Sequence, residues 1–460
     1  MSTSSTQNVA LAAGPILALL AGYLMYATGF APEAAVTLGV TVLCIVWWVF
    51  EPIPIPATSL LPLSLLPLLG VLTPGDIAGA YGHPLILLLL GGFMLSTALE
   101  RNGAHRRIAL GMVSAFGGTS GRRLVFGFMA ASAALSMWIS NTATTLMLLP
   151  VALAVLEKSE DPDLAKPLLL GIAYAASVGG IGTPIGTPPN VIFMGVYEQL
   201  VGERITFAGW MIWAVPVVLV FLPVIGIYLT RNLGRHAAPA MPKVGPWSPA
   251  EVRVVMVFAL TAVLWITRQE PFGGWSGMLA IAHSADYMVA FLAVTAMFLI
   301  PDGKGEQLLD WETATRIPWG MLILFGAGIA IAEAFTQSGL SQTIGALLSG
   351  VATLHVLLVM LIICLSVTFL TEATSNTATT TLLMPILAAG ALGAGMDPKL
   401  LMIPAAMSAS CAFMLPVATA PNVIMFSTGK FSVEEMAREG FALNLLGAII
   451  IATLCYLLLT

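Results

Sequence analysis

Long apolar stretches separated by short polar segments recur along the whole chain. Eleven of them, 9–30, 35–50, 53–72, 84–100, 168–200, 208–230, 252–267, 285–300, 319–336, 400–428 and 441–459, read as membrane spans. The reason is length: crossing the hydrocarbon core takes about 20 consecutive, mostly apolar residues in a helix. Two further apolar segments, 124–156 and 354–394, are each interrupted near the middle by Ser-Asn-Thr. Each half is short for a complete crossing, which predicts two re-entrant helical hairpins that enter and leave on the same side. The spans 168–200 and 400–428 carry their own interruptions, GTPIGTPPN at 182–190 and LPVATAPN at 415–422. Prolines and glycines at that density cannot continue a helix, so both spans are expected to be broken helices.

The interruptions are repeated. SNTATTLMLLP at 140–150 returns as SNTATTTLLMP at 375–385, GTPPNVIF at 186–193 as ATAPNVIMF at 418–426, and, more faintly, LLLLGGF at 87–93 as LILFGAG at 322–328. The spans near 84–100 and 319–336 are equivalent under this repeat and stand fourth and ninth among the full crossings. An odd separation gives them opposite orientations, so the repeat is inverted, an arrangement that places a transporter's site at the repeat interface near the midplane. The chain then divides into N-terminal spans 1–83, a first repeat 84–230 containing hairpin 124–156 and broken helix 168–200, and a polar cytoplasmic linker 231–251. Spans 252–318 follow, and then a second repeat 319–460 containing hairpin 354–394 and broken helix 400–428.

Composition narrows the class. The chain is 58% hydrophobic and 9% charged, where soluble domains carry about 25% charged residues; an all-α polytopic membrane protein is the fold class that remains. With both hairpins re-entrant and a cytoplasmic N-terminus, 15 of the 18 basic residues fall inside and only Arg204, Arg268 and Lys399 outside. That is the asymmetry the positive-inside rule requires, and it puts the C-terminus outside. The N-terminal MSTSSTQN has no Lys or Arg, so the first span is expected to be retained rather than cleaved as a signal peptide. Compact loops and the absence of Asn-x-Ser/Thr sequons point to a bacterial inner membrane. No basic stretch suits nucleic acid. Cys44, Cys364, Cys411 and Cys455 lie in apolar runs and read as packing residues, and the five histidines show no metal-ligand spacing. An intramembrane enzyme is not expected, since no HExxH helix, paired aspartates or Ser/His pair is present.

The chemistry is concentrated in the interruptions. Ser140-Asn141-Thr142 and Ser375-Asn376-Thr377 offer donors and acceptors without formal charge. Unpaired polar groups cost several kcal/mol in hydrocarbon. Interhelical hydrogen bonding would satisfy them, but duplication at the midpoint of two hairpins favours a site. Non-helical backbone at membrane depth frees carbonyls for a cation, and helix N-termini for an anion. No Arg, Lys or His lies near either motif in the chain, so the charge of an anionic solute must be offset by amides, hydroxyls, dipoles and bound cations. A dianion entering an inside-negative cell at 100 mV works against about 4.6 kcal/mol; two co-transported monovalent cations cancel that. Among carboxylates in or beside spans, Glu372 is expected to support the second hairpin or to carry a proton, Glu51 and Glu100 to be interfacial, and Glu333 is a further candidate.

At these motifs the sequence resembles the divalent anion/sodium symporter family, whose members carry dicarboxylates, citrate or sulfate. The resemblance implies eleven transmembrane helices with two re-entrant hairpins, a homodimer, and scaffold and transport domains working as an elevator. It implies two or more co-transported Na+ ions, one held by Ser136, Ser140, Asn141 and Gly186 and another by Thr371, Thr374, Asn376 and Ala418. Substrate carboxylates would meet Asn141, Thr142, Asn376 and Thr377, with Ser140, Ser375, Pro188 and Thr419 nearby. Thr at the third position of both motifs is compatible with a four-carbon dicarboxylate such as succinate. Ala420 departs from the pattern, standing where the first copy has Pro188. The leading expectation is sodium-coupled uptake; a sodium-independent dicarboxylate/citrate exchanger of the same fold is the alternative, and a channel fits two movable repeats poorly.

Overall fold

The apolar runs fracture where prolines cluster and at the two Ser-Asn-Thr motifs, while prolines inside Ser5–Ala27 and Phe207–Leu229 leave those helices whole. The computed structural model describes residues 5–116, 120–234, 245–269, 272–281, 283–348 and 354–460; Arg235, His236 and Lys243 of the polar linker lie outside these. Among the described residues no named strand occurs, and eight helices are long and apolar enough to cross a membrane. Uninterrupted runs fold as single helices: Ser5–Ala27, Pro32–Phe50, Phe207–Leu229, Pro249–Ile266, Trp319–Gln337 and Val433–Leu459. The expected span 53–72 does not. With prolines at 54, 56, 62 and 67, it splits into the short helices Ile55–Thr58 and Leu61–Leu68. The span 285–300 yields only Asp286–Leu299, 14 residues or about 21 Å of rise, short of a bilayer core of about 30 Å.

Both Ser-Asn-Thr segments break at the expected place. Helix Gly121–Ser136 is followed by Asn141–Leu156, and Val356–Ala373 by Asn376–Gly393. The proline-rich spans break as well: Ala165–Gly180 is followed by Pro188–Val201, and Lys399–Ser408 by a 3₁₀ turn, Pro416–Ala418, and the short helix Ala420–Phe426.

The repeat shows again in two helices that the apolar pattern did not announce, Ala104–Phe116 and Leu340–Leu348. Each follows one of the equivalent spans, after a glycine in the left-handed region: Gly103 at φ 72° ends Pro84–Arg101, and Gly339 at φ 76° ends Trp319–Gln337. Only glycine takes that conformation without a steric penalty.

The helices pack in two groups. One contains the N-terminal helices with Pro84–Arg101, Pro249–Ile266, Asp286–Leu299 and Trp319–Gln337; the other contains both broken pairs from each half with Phe207–Leu229 and Val433–Leu459. The second group is dense. Helix Ala165–Gly180 is almost wholly buried, and Gly179 lies so close to helix Gly121–Ser136 that a Cβ there would sit 2.4 Å from the Ala133 backbone. Small residues at such crossings let helix backbones touch, which is how apolar helices associate without a hydrophobic driving force.

Candidate functional site

Each break ends one helix and begins another, so it delivers carbonyl oxygens and amide hydrogens to the same place. Ser140, Thr187, Ser375 and Thr419 are the N-caps of the four helices that restart, and all four line one cavity of about 750 Å³. Helix N-termini carry roughly +0.5 elementary charge each. These N-termini give the cavity a positive lean, beside Glu372, which also lines it. Asn141, Thr142, Pro188, Asn376 and Thr377 line it too, so the structure brings together all eight residues expected to meet substrate.

Residues expected to hold sodium contribute oxygens to two clusters at and just behind this surface. In the first, Ser136 Oγ donates to Asn141 Oδ1 at 2.5 Å. The gap beside Gly180 is oxygen-lined: a Cβ built there would lie 2.8 Å from Asn141 Oδ1 and 3.2 Å from the Gly186 carbonyl, and one on Gly186 would lie 3.0 Å from the Ser136 carbonyl. Neutral oxygens converging on a space where side chains are missing suit a hard monovalent cation. In the second cluster, Thr371 Oγ1 donates to Asn376 Oδ1 at 2.6 Å and approaches the Ala409 carbonyl at 3.1 Å. Thr374 Oγ1 lies 2.6 Å from Thr379 Oγ1. Ser140, Asn141, Gly186, Thr374, Asn376 and Ala418 reach the cavity, while Ser136 and Thr371 are fully buried behind it.

The unwound segments are tied down by residues whose role the sequence did not reveal. Asn190, fully buried, donates through Nδ2 towards the carbonyls of Gly180 at 3.0 Å, Ile181 at 3.3 Å and Thr183 at 2.7 Å. Its repeat partner Asn422 donates to Ala412 at 3.0 Å and Leu415 at 3.1 Å. One side-chain amide thus replaces the lost helical bonds on each side, as buried backbone groups require. Trp210 Nε1 adds a bond to the Ile181 carbonyl at 2.8 Å, and Tyr174 OH one to the Phe413 carbonyl at 2.7 Å.

Glu372 is where the two halves differ. Its carboxylate accepts the backbone N–H groups of Phe413, Met414 and Leu415 at 2.7, 2.8 and 3.0 Å, and Asn444 Nδ2 at 2.7 Å. Every bond is received and none given, the pattern of a carboxylate serving as a backbone anchor. Of the two expected roles, this geometry is the supporting one. The equivalent place in the first repeat is Met137, whose carbonyl accepts from Thr183 Oγ1.

The remaining wall comes from the other packing group. Leu89, Phe93, Ser96, Thr97 and Glu100 present one face of helix Pro84–Arg101, and Glu51 and Arg316 stand in the wall with them. This corrects the expectation that no cation lies near the motifs: Arg316, distant in sequence, shares the cavity, although it is 67% exposed and pairs with Glu312 at 2.5 Å. Glu51 and Glu100, read as interfacial, also line the cavity, whereas Glu333 lies outside it, bonded to Gln199 and Gln337.

The chain is 40% identical to a protein of Staphylococcus saprophyticus named sodium-dependent dicarboxylate transporter SdcS, over 98% of this chain and 91% of that one. It is 39% identical to the protein of that name from Staphylococcus aureus, with the same coverage. In fold it is similar to the YdaH transporter of Alcanivorax borkumensis (TM-score 0.58, 14% identity, 82% of this chain and 86% of that one). It is equally similar to MtrF of Neisseria gonorrhoeae, described as one of a class of antimetabolite efflux pumps (TM-score 0.58, 14% identity, 83% and 82%). The model for the sodium:sulfate symporter transmembrane region matches residues 6–459, and the chain accordingly belongs to that family and is a membrane transporter, not an enzyme.

Proposed function

We propose that this protein is a secondary active transporter that takes up a dicarboxylate such as succinate, malate or fumarate, coupled to two or more Na+ ions. The observation that carries the reading is the meeting of both repeats' helix breaks at one cavity. There, restarting N-termini can meet two carboxylates while the oxygen clusters around Asn141 and Asn376 hold cations. Such a site binds the dianion well only when the cations are present, which is the basis of coupling. The names of the staphylococcal relatives support both solutes.

In this reading the Ser-Asn-Thr segments are re-entrant hairpins in an inverted repeat. The group of broken helices moves as a transport domain against a scaffold that also forms a homodimer, in an elevator cycle within a bacterial inner membrane. The N-terminus is cytoplasmic and the C-terminus outside. The cavity mouth, with Glu51, Glu100 and Arg316, then lies on the side that collects most basic residues, so the arrangement is inward-open.

The test is uptake of labelled succinate by the purified protein in liposomes, with and without an inward sodium gradient, into empty and succinate-loaded vesicles. Sodium-dependent uptake into empty vesicles is expected. Uptake only into loaded vesicles, indifferent to sodium, would make the protein an exchanger and remove the cation assignments.

A further inference from the structure

Where the two packing groups touch, their polar contacts collect at one end. Among the described residues these contacts fall on the segment from Glu198 to Phe207, which closes helix Pro188–Val201 and opens Phe207–Leu229. Glu198 Oε2 lies 3.7 Å from His83 Nε2. His83 caps helix Pro84–Arg101 and spends Nδ1 on the Leu85 N–H at 3.3 Å, so the proton of the neutral ring sits on Nε2 and faces Glu198. The next residue, Gln199, donates to Glu333 near the end of Trp319–Gln337. Asp286, which Arg268 grips at 2.5 and 3.3 Å, begins helix Asp286–Leu299 and lines a small cavity with Glu198, Arg204 and Ile205 of the same segment. One short segment therefore contacts the ends of two helices of the opposite group and lies beside the start of a third.

The segment is braced for this task. Arg204 forks onto Glu198 Oε1 at 2.9 and 2.7 Å. The Tyr197 hydroxyl and the Lys399 ammonium share Glu203 Oε2 at 2.9 and 3.2 Å, tying the segment to the second repeat. His83, Glu198 and Asp286 have side chains only 9, 17 and 10% exposed, so solvent screens these contacts less than surface pairs. Among the described residues the groups also meet through apolar surface, as where Trp138 stands edge-on to Phe258. The cluster also stands opposite the cavity mouth: His83 begins the helix on which Glu100 lines the mouth, about 25 Å of helix away, and Glu333 lies towards the far end of the helix on which Met321 lines it.

We propose that Glu198 and Gln199, held by His83 and Glu333 of the opposite group, form a latch that closes the end of the molecule remote from the mouth, and that the latch must release before the site can open there. The inference rests on the transport cycle proposed above, and its test separates the two. In the pair Gln199→Cys/Glu333→Cys, a short cleavable bifunctional thiol reagent should join the two groups; the four native cysteines are buried. Cross-linked protein in liposomes should lose at least tenfold in uptake and regain it on cleavage. Adding Glu198→Gln, in protein that elutes as a single species, should slow cross-linking several-fold, because weakening one contact frees its neighbour. Failure to cross-link, full uptake while cross-linked, or a cross-linking rate indifferent to Glu198→Gln would each overturn the latch. If the unaltered protein moves no dicarboxylate in the same liposomes, the transport reading fails, and the effect of Glu198→Gln on cross-linking still decides the latch.

Discussion

Single residues at this site act through what they tie together. Asn141 and Asn376 each begin a helix, line the cavity and accept a hydroxyl from behind it. Asn141→Ala and Asn376→Ala should therefore each abolish sodium-driven uptake while leaving elution and helix content intact; normal uptake by both variants would remove the site. Glu372 predicts a different outcome. Replacing it with Gln keeps the shape but exchanges charge-assisted bonds for neutral ones and forces an amide nitrogen towards donors, a loss of about 2 kcal/mol. Glu372→Gln should lower the unfolding temperature of the purified protein even without solutes, whereas the asparagine variants should not. The polar residues of the breaks were legible because serine, asparagine and threonine stand out in apolar runs. Arg316, Ser96 and Thr97 were not, since nothing local distinguishes a cavity-facing residue from a partner brought near only by folding.

At the scale of elements, the breaks matter more than the helices. Ser-Asn-Thr announced two of them and clustered prolines the other two, and the structure has all four where the sequence put them. The extra fracture in 53–72 has the same origin: apolar content alone predicts one span, but four prolines within it break the helix. Helices Ala104–Phe116 and Leu340–Leu348 are short and amphipathic, so they leave no long apolar run in the sequence. Two glycines give tests here. A methyl on Gly186 would lie 2.4 Å from the Gly180 carbonyl, pushing apart the oxygens of the first cluster. Gly186→Ala should raise the sodium concentration for half-maximal uptake by roughly tenfold, about 1.4 kcal/mol; an unchanged sodium dependence would show that this cluster holds no coupled ion. Gly393 touches Gly345 at backbone distance, where a Cβ would sit 2.2 Å from Gly345 Cα. Gly393→Ala should cost about 1–3 kcal/mol through overpacking, read as earlier thermal unfolding.

For the whole molecule, the repeat was readable from three short matches, and its consequence is a cavity built between two packing groups. What the sequence could not supply was the facing wall, because helix Pro84–Arg101 carries no motif beyond its apolar run. The proposed inward-open arrangement makes that wall a reporter. Thr97→Cys should react with a membrane-impermeant thiol reagent in inside-out vesicles and resist it in intact cells; the reverse pattern would invert the topology.

The shared ownership of the cavity also bears on inhibition. Its volume of about 750 Å³ is several times what a four-carbon acid fills, and the surplus is bounded by Phe93 and its neighbours on one side and by the Ser-Asn-Thr breaks on the other. A compound that keeps the two carboxylates but adds a bulky apolar arm against Phe93 would bind both groups at once and wedge them. Such a molecule would compete with substrate from the side of the mouth only, and would act as a noncompetitive blocker of entry from the opposite face.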